Sequence, residues 1–130
     1  MRIAAVLTLA ALLGGCADET ISGYADRDAV YRLTEMGGTP VTASATITFP
    51  EAGRAAGQGP CNSWGAAQTA PYPWFELGPI EATERGCPDL DVEAAFFAAL
   101  AAARFSEVSG GVLILTDEAG AEMVFRADDT

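Results

Sequence analysis

Three cysteines, Cys16, Cys61 and Cys87, are the residues of this 130-residue chain best suited to covalent chemistry, and no histidine accompanies them. A nucleophilic thiolate needs a neighbouring base, most often imidazole, and a zinc site needs four ligands; the chain is short of both. Its other chemical resource is 18 Asp and Glu. By elimination, Glu76 and Glu81 are what remains for paired-carboxylate acid–base work. Asp89, Asp91 and Glu93 form an acidic run, but it lacks the glycine turn and ligand number of an EF-hand calcium loop. Against these acids stand 7 Arg and no Lys, for a net charge of −11. Such a balance excludes nucleic-acid binding through a basic patch and favours encounter with basic partners. The expectation is no catalytic residue, no metal and no cofactor.

Cys16 belongs to a segment of its own. Arg2 supplies a positive end, and residues 3–13 are apolar except for Thr8. Eleven residues of helix cover roughly 17 Å, little more than half the hydrocarbon thickness of a bilayer. That length fits an export signal better than a membrane span. Leu13-Gly14-Gly15-Cys16 resembles the bacterial lipobox, in which an aliphatic and two small residues precede a lipid-modified cysteine. The resemblance implies cleavage before Cys16, a diacylglycerol on its thiol and an acyl chain on its new amine. At about 0.8 kcal/mol per buried methylene, several chains hold a protein on a bilayer almost irreversibly. Ala17 rather than Asp follows the cysteine, which by analogy with enteric bacteria points to the outer membrane, facing the periplasm. Residues 1–15 thus read as a signal peptide; losing them removes Arg2 and takes the charge from −11 to −12.

With Cys16 spent on lipid, Cys61 and Cys87 remain as an even pair in an exported chain, and disulfides persist in the oxidising periplasm. A bridge is the expected state, with two free thiols as the alternative. Closing a 26-residue separation would contribute about 3.5 kcal/mol in the chain-entropy account.

The elements that must position these residues follow from periodicity. Residues 17–28 are acidic, have few apolar positions and read as a flexible tether reaching about 20 Å. Period-two alternation then places Tyr31 and Leu33 on one strand face. It places Ala43, Ala45, Ile47 and Phe49 on another, opposite Ser44, Thr46 and Thr48. Gly37-Gly38-Thr39-Pro40 and Pro50-Glu51-Ala52-Gly53 are turns. A glycine-rich stretch, residues 54–67, carries Cys61. Short strands are expected at residues 74–77 and 80–83. After Pro88, Asp89 is placed to cap a helix with Asp91 and Glu93 in its first turn, and Val92, Phe96, Ala99, Leu100 and Ala103 form its apolar face. Residues 112–116 and 122–126 are a closing hairpin. Mostly antiparallel strands with one helix make an α+β domain over residues 29–127.

The order of motifs resembles the META domain, also called HslJ-like, of bacterial envelope lipoproteins. Tyr31-Arg32-Leu33 matches its aromatic-x-Leu opening strand. Gly57 to Trp64 matches a Gly-rich strand ending in Gly-Cys-Asn with an aromatic two residues on, and Thr83 to Cys87 matches Thr-x-x-small-Cys. Glu93, Phe96 and Leu100 match the opening of the helix, and residues 113–125 its last hairpin. Pro60 stands where the family usually has Gly, which predicts disturbed pairing at that point. The resemblance implies a small, partly open β-barrel with one α-helix packed on it. In it, Cys61 and Cys87 would staple the glycine-rich strand to the loop entering the helix. Asn62, Trp64, Thr83 and Glu93 would then be mainly structural. The alternative has Asn62, Trp64 and Thr83 lining a ligand surface. Tyr72 and Trp74, between prolines, would cover the open end of the barrel or stand out as an exposed patch.

The function so implied is non-catalytic. It is that of a monomeric envelope lipoprotein serving envelope integrity or stress tolerance through a protein partner, with the membrane bound by Cys16 and no nucleic acid. The alternative is a stoichiometric inhibitor of a basic lysozyme- or protease-type hydrolase, drawn in by charge.

Overall fold

Alternating burial along the first strand and the last two builds the centre of the molecule, and a computed structural model describes residues 17–128 of it. The signal-peptide reading of residues 1–15 and the lipidation of Cys16 fall outside the described residues. Strands β1 (Tyr31–Met36), β2 (Thr39–Pro40), β3 (Thr46–Glu51), β4 (Arg54–Gln58), β5 (Ser63–Ala67) and β6 (Glu81–Ala82) precede helix α1 (Leu90–Ala102). Strands β7 (Ala103–Ser109), β8 (Val112–Asp117) and β9 (Glu122–Ala127) follow it. Every pairing is antiparallel, in the order β6-β5-β4-β3-β1-β9-β8-β7, with β2 folded back on β1. The sheet curls into a half-barrel carrying one helix, the α+β class that the patterning implied.

Turn chemistry matches the sequence. Gly37-Gly38 and Gly110-Gly111 take positive φ at both positions of their hairpins, where only glycine escapes a steric penalty. The concave face is filled by Tyr31, Leu33, Ile47, Phe49, Leu113, Leu115 and Phe125, all essentially without exposure. Each such side chain contributes about 1.5–3 kcal/mol by leaving water. Helix α1 closes over them through Phe96 and Leu100, with the Phe96 ring 6.5 Å from Phe125 and 6.2 Å from Trp64.

Several expectations are corrected. Ala103 is not on the helix; it opens β7, a strand that the helical run of alanines concealed. Its N–H closes α1 on the carbonyls of Ala99 and Leu100, and the Arg104 guanidinium donates to the carbonyls of Ala101 and Ala103 at 2.9 and 2.8 Å. A cation there complements the negative end of the helix. Asp89 makes no side-chain cap bond. Val92 faces outward and Glu93 inward, so the buried stripe is Glu93, Phe96 and Leu100.

Residues 74–77 and 80–83 are not two regular strands, and only Glu81–Ala82 pairs as one. Pro71, Pro73 and Pro79 lack the N–H that a ladder requires. Residues 71–78 instead span the gap between the sheet's edges. Leu77 bridges Gln68 beyond β5, while Trp74 bridges Phe105 of β7. There the Phe75 N–H donates to Arg104 O at 2.8 Å and the Ser106 N–H to Pro73 O at 2.7 Å.

Nor are residues 17–28 a free tether. A short 3-10 turn, Ile21–Gly23, buries Ile21 to 1% exposure, and Thr20 bridges Pro71. The Asp18 carboxylate accepts from the hydroxyls of Thr20 and Ser22 and from Arg27. Sequence alone showed one isoleucine among acids; in the fold it is a plug. Ile21→Ala is therefore expected to cost about 2–5 kcal/mol in urea unfolding, the range for emptying a core site, whereas a loose tether would lose nothing measurable.

Candidate functional site

The residues singled out by motif converge on one turn. β4 and β5 are joined by Gly59-Pro60-Cys61-Asn62, closed by the Gly59 N–H on Asn62 O at 2.7 Å. Pairing of the two strands runs undisturbed from Arg54↔Ala67 to Gln58↔Ser63. Pro60 lies in the turn beyond the last pair, where no ladder donor is required, so the expected disturbance is absent.

Into this turn reaches Glu93, from the first turn of α1 and only 4% exposed. Its Oε2 accepts the backbone N–H of Cys61 and of Asn62, both at 2.7 Å, and its Oε1 accepts the Asn62 side-chain amide at 2.6 Å. Burial alone would raise the carboxyl's pKa, but the three donors, led by the Asn62 amide, outweigh it and hold Glu93 below its ordinary range. An ionised carboxylate can stay buried here because every hydrogen-bonding partner favours the charged form.

Asn62 is the hub. It donates also to Arg85 O at 3.1 Å, while its Oδ1 accepts the Thr83 hydroxyl at 2.9 Å and the Arg85 N–H at 2.6 Å. One side chain thus ties the β4–β5 turn, the strand leaving β6 and the helix start together. The Cys61–Cys87 disulfide, Cα atoms 5.7 Å apart, makes the same connection covalently. Glycines permit the close approach. A Cβ on Gly59 would lie 2.6 Å from Glu93 Oε2, and one on Gly57 would lie 2.0 Å from the Thr46 carbonyl oxygen.

Trp64 is buried beneath the knot, its indole N–H donating to Thr46 O at 3.3 Å and its ring edge-on to Phe96 and Phe97. Thr83 is on the surface, but its hydroxyl points to Asn62. Glu76 and Glu81 are exposed. A shallow cleft of about 260 Å³ lies between Arg54, Trp64, Gly65, Glu81 and Thr83. Among the described residues every buried side-chain nitrogen and oxygen has a partner, so no buried polar atom is left free to receive a ligand there. The acidic run Asp89, Asp91, Glu93 is divided, with Glu93 turned inward.

With this arrangement in view, comparison with known proteins decides the lineage. A family model described as META domain matches residues 26–130. The chain belongs to the META domain family. Among solved structures, an NMR structure of a protein from Burkholderia xenovorans superposes with a TM-score of 0.66 at 18% identity, covering 85% of this chain and 88% of that one. A crystal structure of a DUF4847 family protein from Bacteroides vulgatus ATCC 8482 gives a TM-score of 0.56 at 19% identity, over 66% and 60% of the two chains. At such identities the likeness is one of fold. No curated protein matches. For this META domain, then, the motif residues Cys61, Asn62, Thr83, Cys87 and Glu93 form one internal lock. Motif marked Glu93 as structural, but not that its carboxylate binds Asn62 and the turn, because a first-turn acid reads as a helix-dipole residue; the signal was its register with Phe96 and Leu100.

Three outcomes test the lock. Glu93→Gln places an amide N–H against an N–H donor whichever way it turns, since Asn62 Oδ1 is already held by Thr83 and Arg85; a loss of about 1–3 kcal/mol is expected in denaturant unfolding. The folded-state pKa of Glu93 is lowered, so its stabilisation is complete above its ordinary 4.5 and disappears as pH falls through the lower folded value. The variant's stability should accordingly flatten over that acid limb, partially, because Asp18 is lowered too. Reduction of Cys61–Cys87 is expected to remove about 3.5 kcal/mol. At roughly 4–8 °C per kcal/mol, calorimetry with and without reductant reads this directly.

Proposed function

We infer that this protein is a non-catalytic lipoprotein of the bacterial envelope. Acyl chains on Cys16 hold it at the outer membrane facing the periplasm, where it serves envelope integrity or stress tolerance through a protein partner. The observation that supports this most is how Asn62, Thr83 and Glu93 are used. Their hydrogen-bonding capacity is taken up by the chain's own backbone and by one another, as in a structural lock and unlike a reactive site, whose groups must be open to substrate. A disulfide between Cys61 and Cys87 suits an oxidising compartment. A lipobox-like segment before Cys16 supplies the address.

The charge favours a second reading. A domain of this acidity would be drawn to a strongly basic hydrolase and could block it stoichiometrically. Salt distinguishes the two, because steering by net charge fades as the Debye length shrinks. Binding of a basic glycosidase that is abolished by high salt supports inhibition; binding that ignores salt counts against it.

The anchor has its own test. Cys16→Ser is expected to leave an uncleaved or soluble precursor. The wild-type protein extracted from membranes should show the mass of a chain starting at Cys16 and carrying acyl groups. Unchanged sedimentation and unchanged mass in the variant would overturn lipidation.

A further inference from the structure

The three large aromatic side chains that stand exposed among the described residues are Tyr24 (57%), Trp74 (55%) and Phe105 (38%), and each belongs to, or packs on, the segment of residues 72–74. Trp74 packs on Phe105 with ring centres 5.2 Å apart, and Tyr24 stacks on half-buried Tyr72 at 4.2 Å. The backbone joins these pairs: Trp74 N–H donates to Pro71 O at 2.8 Å, and Val108 N–H donates to the Tyr72 hydroxyl at 3.1 Å. Among the described residues nothing covers this ridge.

The N-terminal segment is fastened to the same place. Thr20 bridges Pro71, and Tyr72 N–H donates to Glu19 O at 2.7 Å. Asp18 is held by Thr20, Ser22 and Arg27. Only two residues of contour separate Asp18 from Cys16, about 7 Å when fully extended. An acyl group on Cys16 would therefore enter the bilayer within a few residues of the ridge, without the slack of a long tether. Trp and Tyr, with an apolar body and a polar edge, are the side chains that settle in the interfacial layer of a membrane.

We propose that the Tyr24–Trp74–Phe105 ridge rests in the interfacial layer of the bilayer that holds Cys16, so that the domain is docked by one face. This rests on lipidation of Cys16. Asp18 and Arg27 pair with each other, and the exposed Glu19, Asp26 and Glu107 near the ridge outnumber Arg104, so anionic headgroups are unfavourable neighbours and the surface fits a zwitterionic bilayer.

Tryptophan fluorescence tests this, because the chain has two tryptophans and Trp64 is buried. The full mature lipoprotein, extracted from membranes, is reconstituted into phosphatidylethanolamine–phosphatidylcholine vesicles with and without brominated acyl chains. The expected result is loss of the Trp74 share of the emission in brominated vesicles and its protection from aqueous iodide. A Trp74→Ser variant should keep an unquenched Trp64 signal, and the double variant Trp74→Ser, Val92→Trp, which moves the reporter to the exposed face of α1, should stay unquenched as well. An acylated, vesicle-bound protein whose Trp74 remains open to iodide and insensitive to bromine overturns the docked face while leaving the anchor standing; that is the behaviour of a ridge kept for a protein partner or a second copy. Equal quenching at Trp74 and at position 92 likewise overturns it, as a freely tumbling domain. An unmodified Cys16 and no vesicle association overturn both.

Discussion

The buried carboxylate of Glu93 is the constraint around which the rest of this META domain is arranged. Taking an ionised group out of water costs several kcal/mol unless donors replace the lost hydration, and here three do so from one turn. That requirement sets the start of the helix against the β4–β5 turn. It forbids a side chain at Gly59, calls for a side-chain amide at Asn62 that donates to Glu93 and Arg85 O while accepting from Thr83 and Arg85, and leaves the disulfide to hold what the hydrogen bonds have positioned. Phe96 and Leu100 then fall over the sheet because they follow Glu93 at helical spacing.

A second constraint is the open seam of the sheet. A half-barrel has two edges, and unpaired edges invite association. Residues 71–78 lie along that seam with too many prolines to form a strand, bridging Gln68 on one side and Phe105 on the other. Gln68, itself buried, steadies them by accepting from Glu76 N–H and donating to Ala70 O. The N-terminal segment lies against the same stretch and inserts Ile21. The seam is thus sealed by irregular chain, which leaves aromatic side chains outside.

Much of the fold was legible in the residues. Glycine pairs named the hairpins, alternation named the buried sides of β1 and β3, and the closing hairpin fell within a residue or so of its expected ends. Strand β7 was not legible, since Ala103 continues a helical apolar stripe; competition for its backbone from β8 and from residues 73–75 ends the helix. Residues 17–28 misled for a related reason. Their acidity and low apolar content describe a solvated chain, and a single isoleucine carries no period from which its burial could be read. The site was half legible: Cys61, Asn62, Thr83, Cys87 and Glu93 were marked by motif, but not that the Glu93 carboxylate binds Asn62, nor that Trp64 lies inside.

By itself the sequence determined the class of the domain, its turns, its acidity and its lack of imidazole chemistry. These depend on local conformational preference, on composition and on counting, all of which act within a few residues or over the whole chain at once. Tertiary structure alone decided that an acid at a helix start would be buried, that a proline-rich stretch would seal a sheet, and that an acidic leader would be fastened beside it. Each outcome depends on donors, edges and cavities contributed by segments many residues away, and these exist only once the sheet has curled.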